Sequence, residues 1–164
     1  MNNRAFTLNQ IKLHAIWALI GALSALVLTL IFNATGLTSL ESFQGPESSL
    51  YSISSETAIL IMVYCFATPL VEEILFRFFL FNFLNKHIKR AAIAIILTAA
   101  LFGIYHLHPV QALYGFLMGL IITYSYYRHR TLSIPLVVHI AAYAFALIYT
   151  LLQSSIMTLS RVKE

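Results

Sequence analysis

Five long apolar segments, joined by short polar connections, limit what this chain can fold into. They run over Leu13–Phe32, Thr57–Leu84, Ala91–Leu107, Val110–Tyr127 and Ile134–Met157. A helix needs roughly 20 residues to cross about 30 Å of hydrocarbon. The first, second and fifth segments reach that length, and the third and fourth must extend into flanking residues. No segment alternates with period 2, and an open sheet cannot span lipid because its edge groups would go unpaired. The expected fold is an all-α integral membrane protein, a bundle of about five transmembrane helices. Composition agrees: 60% of the 164 residues are hydrophobic and 10% are charged, against about a quarter charged in a soluble domain.

Charge placement sets the expected topology. The net charge of +4 comes from basic residues scattered in short clusters between apolar segments, not from a patch that would hold nucleic acid. Arg4 and Lys12 precede the first segment, Lys86, Lys89 and Arg90 follow the second, and Arg128 and Arg130 follow the fourth. In a five-span chain these fall on one side, which the positive-inside rule makes cytoplasmic. The N-terminus is then cytoplasmic and the C-terminus extracytoplasmic in a multi-pass cell-membrane protein, although Arg161 and Lys163 run against that pattern. Tyr124, Tyr126 and Tyr127 stand where an aromatic belt belongs. The first segment is longer than the core of a secretory signal and lacks a clear small-x-small cleavage site, so it reads as an uncleaved helix.

The organisation follows. Residues 1–56 hold the first helix and a polar extracytoplasmic loop, residues 57–157 a helical core, and residues 158–164 a short polar tail. The single cysteine, Cys65, excludes an intramolecular disulfide and a cysteine metal cage.

The polar residues inside the apolar segments carry the functional signal. In "TPLVEEILFRFF", Glu72, Glu73 and Arg77 share one segment, where each charge costs about 2.5–3.5 kcal/mol at the bilayer centre. Glu73 and Arg77 are four residues apart and can pair on one helix face. Glu72 is rotated by about 100° and can face elsewhere, and Pro69 removes a backbone donor one turn earlier. His106 ends "LFGIYH" with Phe102 one turn before it, and His139 opens the last segment with Tyr143 one turn later. A carboxylate and an imidazole can together deprotonate a water, and a second imidazole or a hydroxyl can donate to a developing oxyanion.

Bland readings compete with this one. A single buried histidine is more often a hydrogen-bonded core residue, and a Glu–Arg pair is often glue between helices. Ionisable groups on three separate apolar segments favour a site. His87 and His129, in basic loops, read as solvated; His14 lies near an interface and His108 in a turn. Gly115 and Gly119 make a small-xxx-small pair suited to close helix packing, as does Gly103 nearby.

These motifs resemble a known family. "EEILFR" is similar to the EExxxR motif, and "FGIYH" to the FxxxH motif, of the CAAX protease and bacteriocin-processing (CPBP, or Abi) intramembrane proteases; the likeness spans about Thr57 to Tyr143. The resemblance implies a glutamate-dependent endopeptidase in which Glu72 and His106 activate water, Glu73 and Arg77 orient and support them, and His139 helps bind the oxyanion. The family's third motif, HxxxN, reads "HIAAY" here, so Tyr143 replaces an asparagine. That exchange leaves open an inactive member that binds a peptide, as an immunity protein would. A small transporter or proton relay is a further alternative.

The implied substrate is a membrane-associated peptide or protein, as in CAAX-type or bacteriocin-type processing, and the implied surroundings are the lipid bilayer. No HExxH motif is present and no cofactor is expected. If zinc were used, Glu72, His106 and His139 would be its ligands.

Overall fold

The computed structural model describes residues 3–39 and 62–161, and every regular element among them is helical. Helix α1 is Asn3–Ala34, followed by a short 3₁₀ turn at Leu37–Ser39. Helix α2 covers residues 62–88, α3 is Ala91–Tyr105, α4 is Pro109–His129 and α5 is Ser133–Arg161. The polar loop expected before α2 lies outside the described residues from residue 40 to 61, as do residues 162–164 of the tail.

The ends of the elements have local causes. Lys89 and Arg130 close α2 and α4 in the left-handed conformation, with φ of 55° and 54°, the usual way of stopping a helix. Pro109, which needs no intrahelical donor, opens α4. The third segment does not lengthen as expected but stops at Tyr105. There Leu107 takes φ 62° and the His108 N–H donates to the His106 carbonyl at 2.8 Å, a tight three-residue reversal.

Helix α2 is not uniform. It winds as π-helix over Val63–Ala67, as α-helix over Thr68–Glu72, as π-helix over Glu73–Phe81 and as α-helix over Asn82–Ile88. The first wide stretch ends where Thr68 N–H donates five residues back to Val63, just before Pro69. Proline offers no N–H to the preceding turn, and the wider winding re-registers the ladder around it.

Two close crossings organise the bundle. Helices α1 and α5 run parallel: His14 Nε2 meets Ser133 Oγ at 3.0 Å, and Asn33 Nδ2 donates to Tyr149 Oη at 2.6 Å. Between these contacts a methyl group on Gly21 would collide with the Val138 carbonyl. Helices α3 and α4 cross as closely, since a methyl on Gly103 would strike the Ala112 carbonyl. Helix α2 joins them through Phe81, Ala94 and Tyr126.

Tyr126 is therefore not part of an interfacial belt. It is buried, and its hydroxyl accepts from Asn82 Nδ2 at 2.8 Å; Tyr124 and Tyr127 remain exposed. His129 is likewise not simply solvated, because Trp17 Nε1 donates to its Nε2 at 2.9 Å.

Around an apolar core, many large apolar side chains face outward while several charged and polar ones are buried. Leu19, Leu23, Val27, Phe78, Phe79 and Phe83 face outward, while Glu73, Arg77, Thr98, Thr123 and His139 are buried. Among the described residues, Thr7–Ala34 is the one stretch long and apolar enough to cross a membrane, with a mean hydropathy of 2.4. Ala91–Tyr105 and Ser133–Tyr149 are apolar but shorter.

Candidate active site

The buried charges lie where α2 changes its winding. Glu72 ends an α-helical turn and Glu73 begins a π-helical one. Both residues keep α-helical dihedrals, with φ −64° and ψ −41° at Glu72 and φ −64° and ψ −38° at Glu73, yet the two carboxylates do not point apart as the sequence predicts. Both approach His139, through Glu73 Oε1 at 2.7 Å from Nδ1 and Glu72 Oε2 at 3.4 Å from Nε2. Glu72 is 4% exposed and Glu73 is fully buried.

The expected Glu73–Arg77 pair is present, with Arg77 Nη1 3.1 Å from Glu73 Oε1. That oxygen already faces a cation, so the 2.7 Å contact is an N–H of His139 donating to it. Glu72 Oε2 is near enough to His139 for an ion pair, yet it receives no hydrogen bond from any described residue. A buried carboxylate oxygen without a donor keeps a lone pair available for a proton.

Phe102 holds the arrangement from α3. The Arg77 guanidinium carbon lies 4.4 Å from its ring centre, a cation–π contact at short range. The rings of His106 and His139 both meet Phe102 edge-to-face, with centroids 5.1 and 5.7 Å away. Phe102 thus joins the two imidazoles, which make no direct contact with each other among the hydrogen bonds described.

His106 is half-buried at the end of α3, with Nδ1 2.9 Å from the Phe102 carbonyl. A carbonyl can only accept, so Nδ1 carries the proton and Nε2 keeps its lone pair. The ring fits against α4 because residue 115 is glycine: a Cβ there would stand 3.2 Å from two atoms of the imidazole. Gly119 does the same for Phe102, at 3.1 Å from Cδ1. Sequence reasoning assigned these glycines to helix packing alone, and their proximity to site residues follows from the α3–α4 register.

Tyr143 lies edge-on to His139, with centroids 4.6 Å apart, and stacks on Tyr64 at 5.3 Å and 26°. Tyr64 was not anticipated. It sits in the π-helical stretch before Pro69, on a part of α2 without polar residues to draw attention to it.

The remaining histidines serve elsewhere. His87 bonds to the Phe83 carbonyl, His108 precedes α4, and His14 and His129 belong to the α1–α5 side. An apolar groove of about 480 Å³ runs between α1 and α5 past Gln10, His14, Ala18 and Val137, and none of the buried charges lines it.

The donor set suits a metal poorly. A histidine ligand must turn one ring lone pair to the ion, whereas both nitrogens of His139 face carboxylates. Among the described residues, no group of three His, Cys, Asp or Glu could hold a metal ion.

A helical bundle whose buried acids, among the described residues, meet an arginine and a histidine from another helix defines a narrow class of protein. The family model for type II CAAX prenyl endopeptidase Rce1-like proteins matches residues 54–145, more than half of the chain. The chain belongs to this family, within the CPBP group of membrane-associated proteases. The matched region contains Glu72, Glu73, Arg77, Phe102, His106, His139 and Tyr143. Comparison with curated proteins and with solved structures returned no match.

Proposed function

We propose that the chain is a multi-pass intramembrane endopeptidase that hydrolyses a peptide bond in a membrane-associated peptide or protein. The observation that carries this reading is the pair of adjacent buried carboxylates, each with one oxygen that has no hydrogen-bond donor among the described residues; of the two, Glu72 is the one not held by Arg77, and its Oε2 lies 3.4 Å from His139. Glu72 takes a proton from water while His106 Nε2 accepts or orients the other hydrogen. The water oxygen bonds to the carbonyl carbon, and the donors offered to the oxyanion are the Tyr143 hydroxyl and, when the ring takes a second proton at Nε2, His139. Collapse of the adduct breaks the C–N bond, and the proton held by Glu72 passes to the leaving amine. Glu73 and Arg77 keep the imidazole and carboxylate in place, and no metal takes part.

The substrates this reading implies are CAAX-type tails or bacteriocin-type precursors, and the basic connections support a cytoplasmic N-terminus. The reading is tested with purified protein in detergent or proteoliposomes and a fluorogenic membrane-anchored peptide. Cleavage that persists in metal-stripped protein and disappears in Glu72→Gln is expected. Peptide binding without cleavage would instead favour an immunity or scaffold role, which the Tyr143–Tyr64 stack beside His139 makes a definite alternative.

A further inference from the structure

The Arg77 guanidinium is fully enclosed, yet its Nε, Nη1 and Nη2 have no hydrogen-bond acceptor among the described residues. The contact with Glu73 is an ion pair at 3.1 Å that is not aligned as a hydrogen bond, and Phe102 covers one face. Five N–H groups in a buried guanidinium require acceptors, because leaving charged donors unsatisfied is costly.

The helix registers show where acceptors lie. Phe81, Ala94 and Tyr126 form one layer of the bundle across α2, α3 and α4. Phe102 and Gly119 meet in another, and the Arg77 guanidinium reaches it. Thr98 is one helical turn from both Ala94 and Phe102, and Thr123 is one turn from both Gly119 and Tyr126. Arg77 is itself one turn from Phe81. Arg77, Thr98 and Thr123 thus fall between the same two layers, and all three are completely buried. Thr98 Oγ1 donates its hydrogen to the Ala94 carbonyl at 2.7 Å, which leaves its lone pairs. Thr123 Oγ1 has no hydrogen-bond partner among the described residues. Orphaned donors and free acceptors share one buried level.

We propose that Thr98 and Thr123 are positioning residues for Arg77, accepting from its guanidinium through one enclosed water and so holding it against Glu73. The effect on turnover rests on the peptidase reading; the hydrogen bonds themselves do not.

The test compares Thr→Val, which keeps the shape and removes the hydroxyl, with Thr→Ser, which keeps the hydroxyl. Thr123→Val and Thr98→Val should each lower turnover about tenfold or more with KM unchanged, and the serine variants should restore most of it. A thermal double-mutant cycle separates this proposal from the peptidase reading. Thr123→Val should lower Tm in the parent but not in an Arg77→Met background. Equal losses in both backgrounds, or no loss in the parent, would overturn the proposal even if no peptidase activity is ever found. Should Arg77→Met not fold, hydrogen exchange of the ¹⁵N-labelled Arg77 Nε–H decides: at least tenfold faster exchange in Thr123→Val supports the proposal, and an unchanged rate overturns it.

Discussion

His139 Nδ1 stands 2.7 Å from Glu73 Oε1, the oxygen that Arg77 Nη1 approaches to 3.1 Å. One carboxylate oxygen thereby fastens α5 to α2 and faces the buried Arg77 guanidinium. Glu73 is tied through its Oε1 to both His139 and Arg77, whereas Glu72 has only the 3.4 Å approach to His139; the Oε2 of each carboxylate lacks a hydrogen-bond donor among the described residues.

The two neighbouring glutamates should therefore fail differently. Glu72→Gln is isosteric and should abolish peptide cleavage while leaving thermal stability close to the parent's. Glu73→Gln should lose both. A Glu72→Gln protein with parental turnover would remove Glu72 from the chemistry.

Arg77→Met leaves Glu73 buried without its arginine, and breaking a buried pair typically costs about 3–5 kcal/mol. Replacing both residues with apolar ones, as in Glu73→Leu with Arg77→Met, should recover much of that loss. The check is reversible unfolding of the single and double variants. A double variant as unstable as Arg77→Met would mean that the guanidinium stabilises the fold by other contacts.

Gly103 and Gly115 should separate packing from positioning. A methyl at 103 meets the rigid Ala112 backbone, so Gly103→Ala should destabilise by roughly 1–3 kcal/mol. A methyl at 115 meets the movable His106 ring at 3.2 Å. Gly115→Ala should leave unfolding nearly unchanged and reduce turnover by displacing that ring.

The Trp17–His129 contact should report on pH. Burial, followed by Arg128 and His14, holds the His129 imidazole below its ordinary 6.5, and the neutral ring is the form that accepts from Trp17. An unfolded chain would bind this proton near pH 6.5, the folded one only at lower pH. The contribution to stability is thus complete above 6.5 and is lost as pH falls through the lower folded value. Trp17 is the sole tryptophan, so its fluorescence should change with a midpoint below 6.5, and the change should vanish in His129→Asn.

The legible parts of this protein were those written in local spacing. Glu73 and Arg77 announce their pairing by an i,i+4 interval, and the length of the apolar segments announces helices. The bridge from His139 to both carboxylates was not legible, because it spans 66 residues and depends on how α5 packs against α2. The sequence predicts carboxylates turned apart, from the rotation between neighbours on a helix. Thr98, Thr123 and Tyr64 look ordinary in an apolar segment, and only the register between helices gives them charged or aromatic neighbours. Tyr126 shows the same limit: adjacent tyrosines look alike in sequence, and helix rotation buries one of them.

The parallel pairing of α1 with α5 has a consequence for synthesis. Ser133 and Tyr149, which bond to His14 and Asn33, lie 119 and 116 residues later in the chain. Helix α1 leaves the ribosome well before α5 and must wait for it before it acquires these partners. At about 5–20 residues per second, that is an interval of several seconds. During it the groove-forming face of α1 and the Gly21 notch are open to other helices. Assembly is therefore most exposed to error at the start of the chain, and a product truncated before α5 lacks not only His139 but also the helix that holds α1.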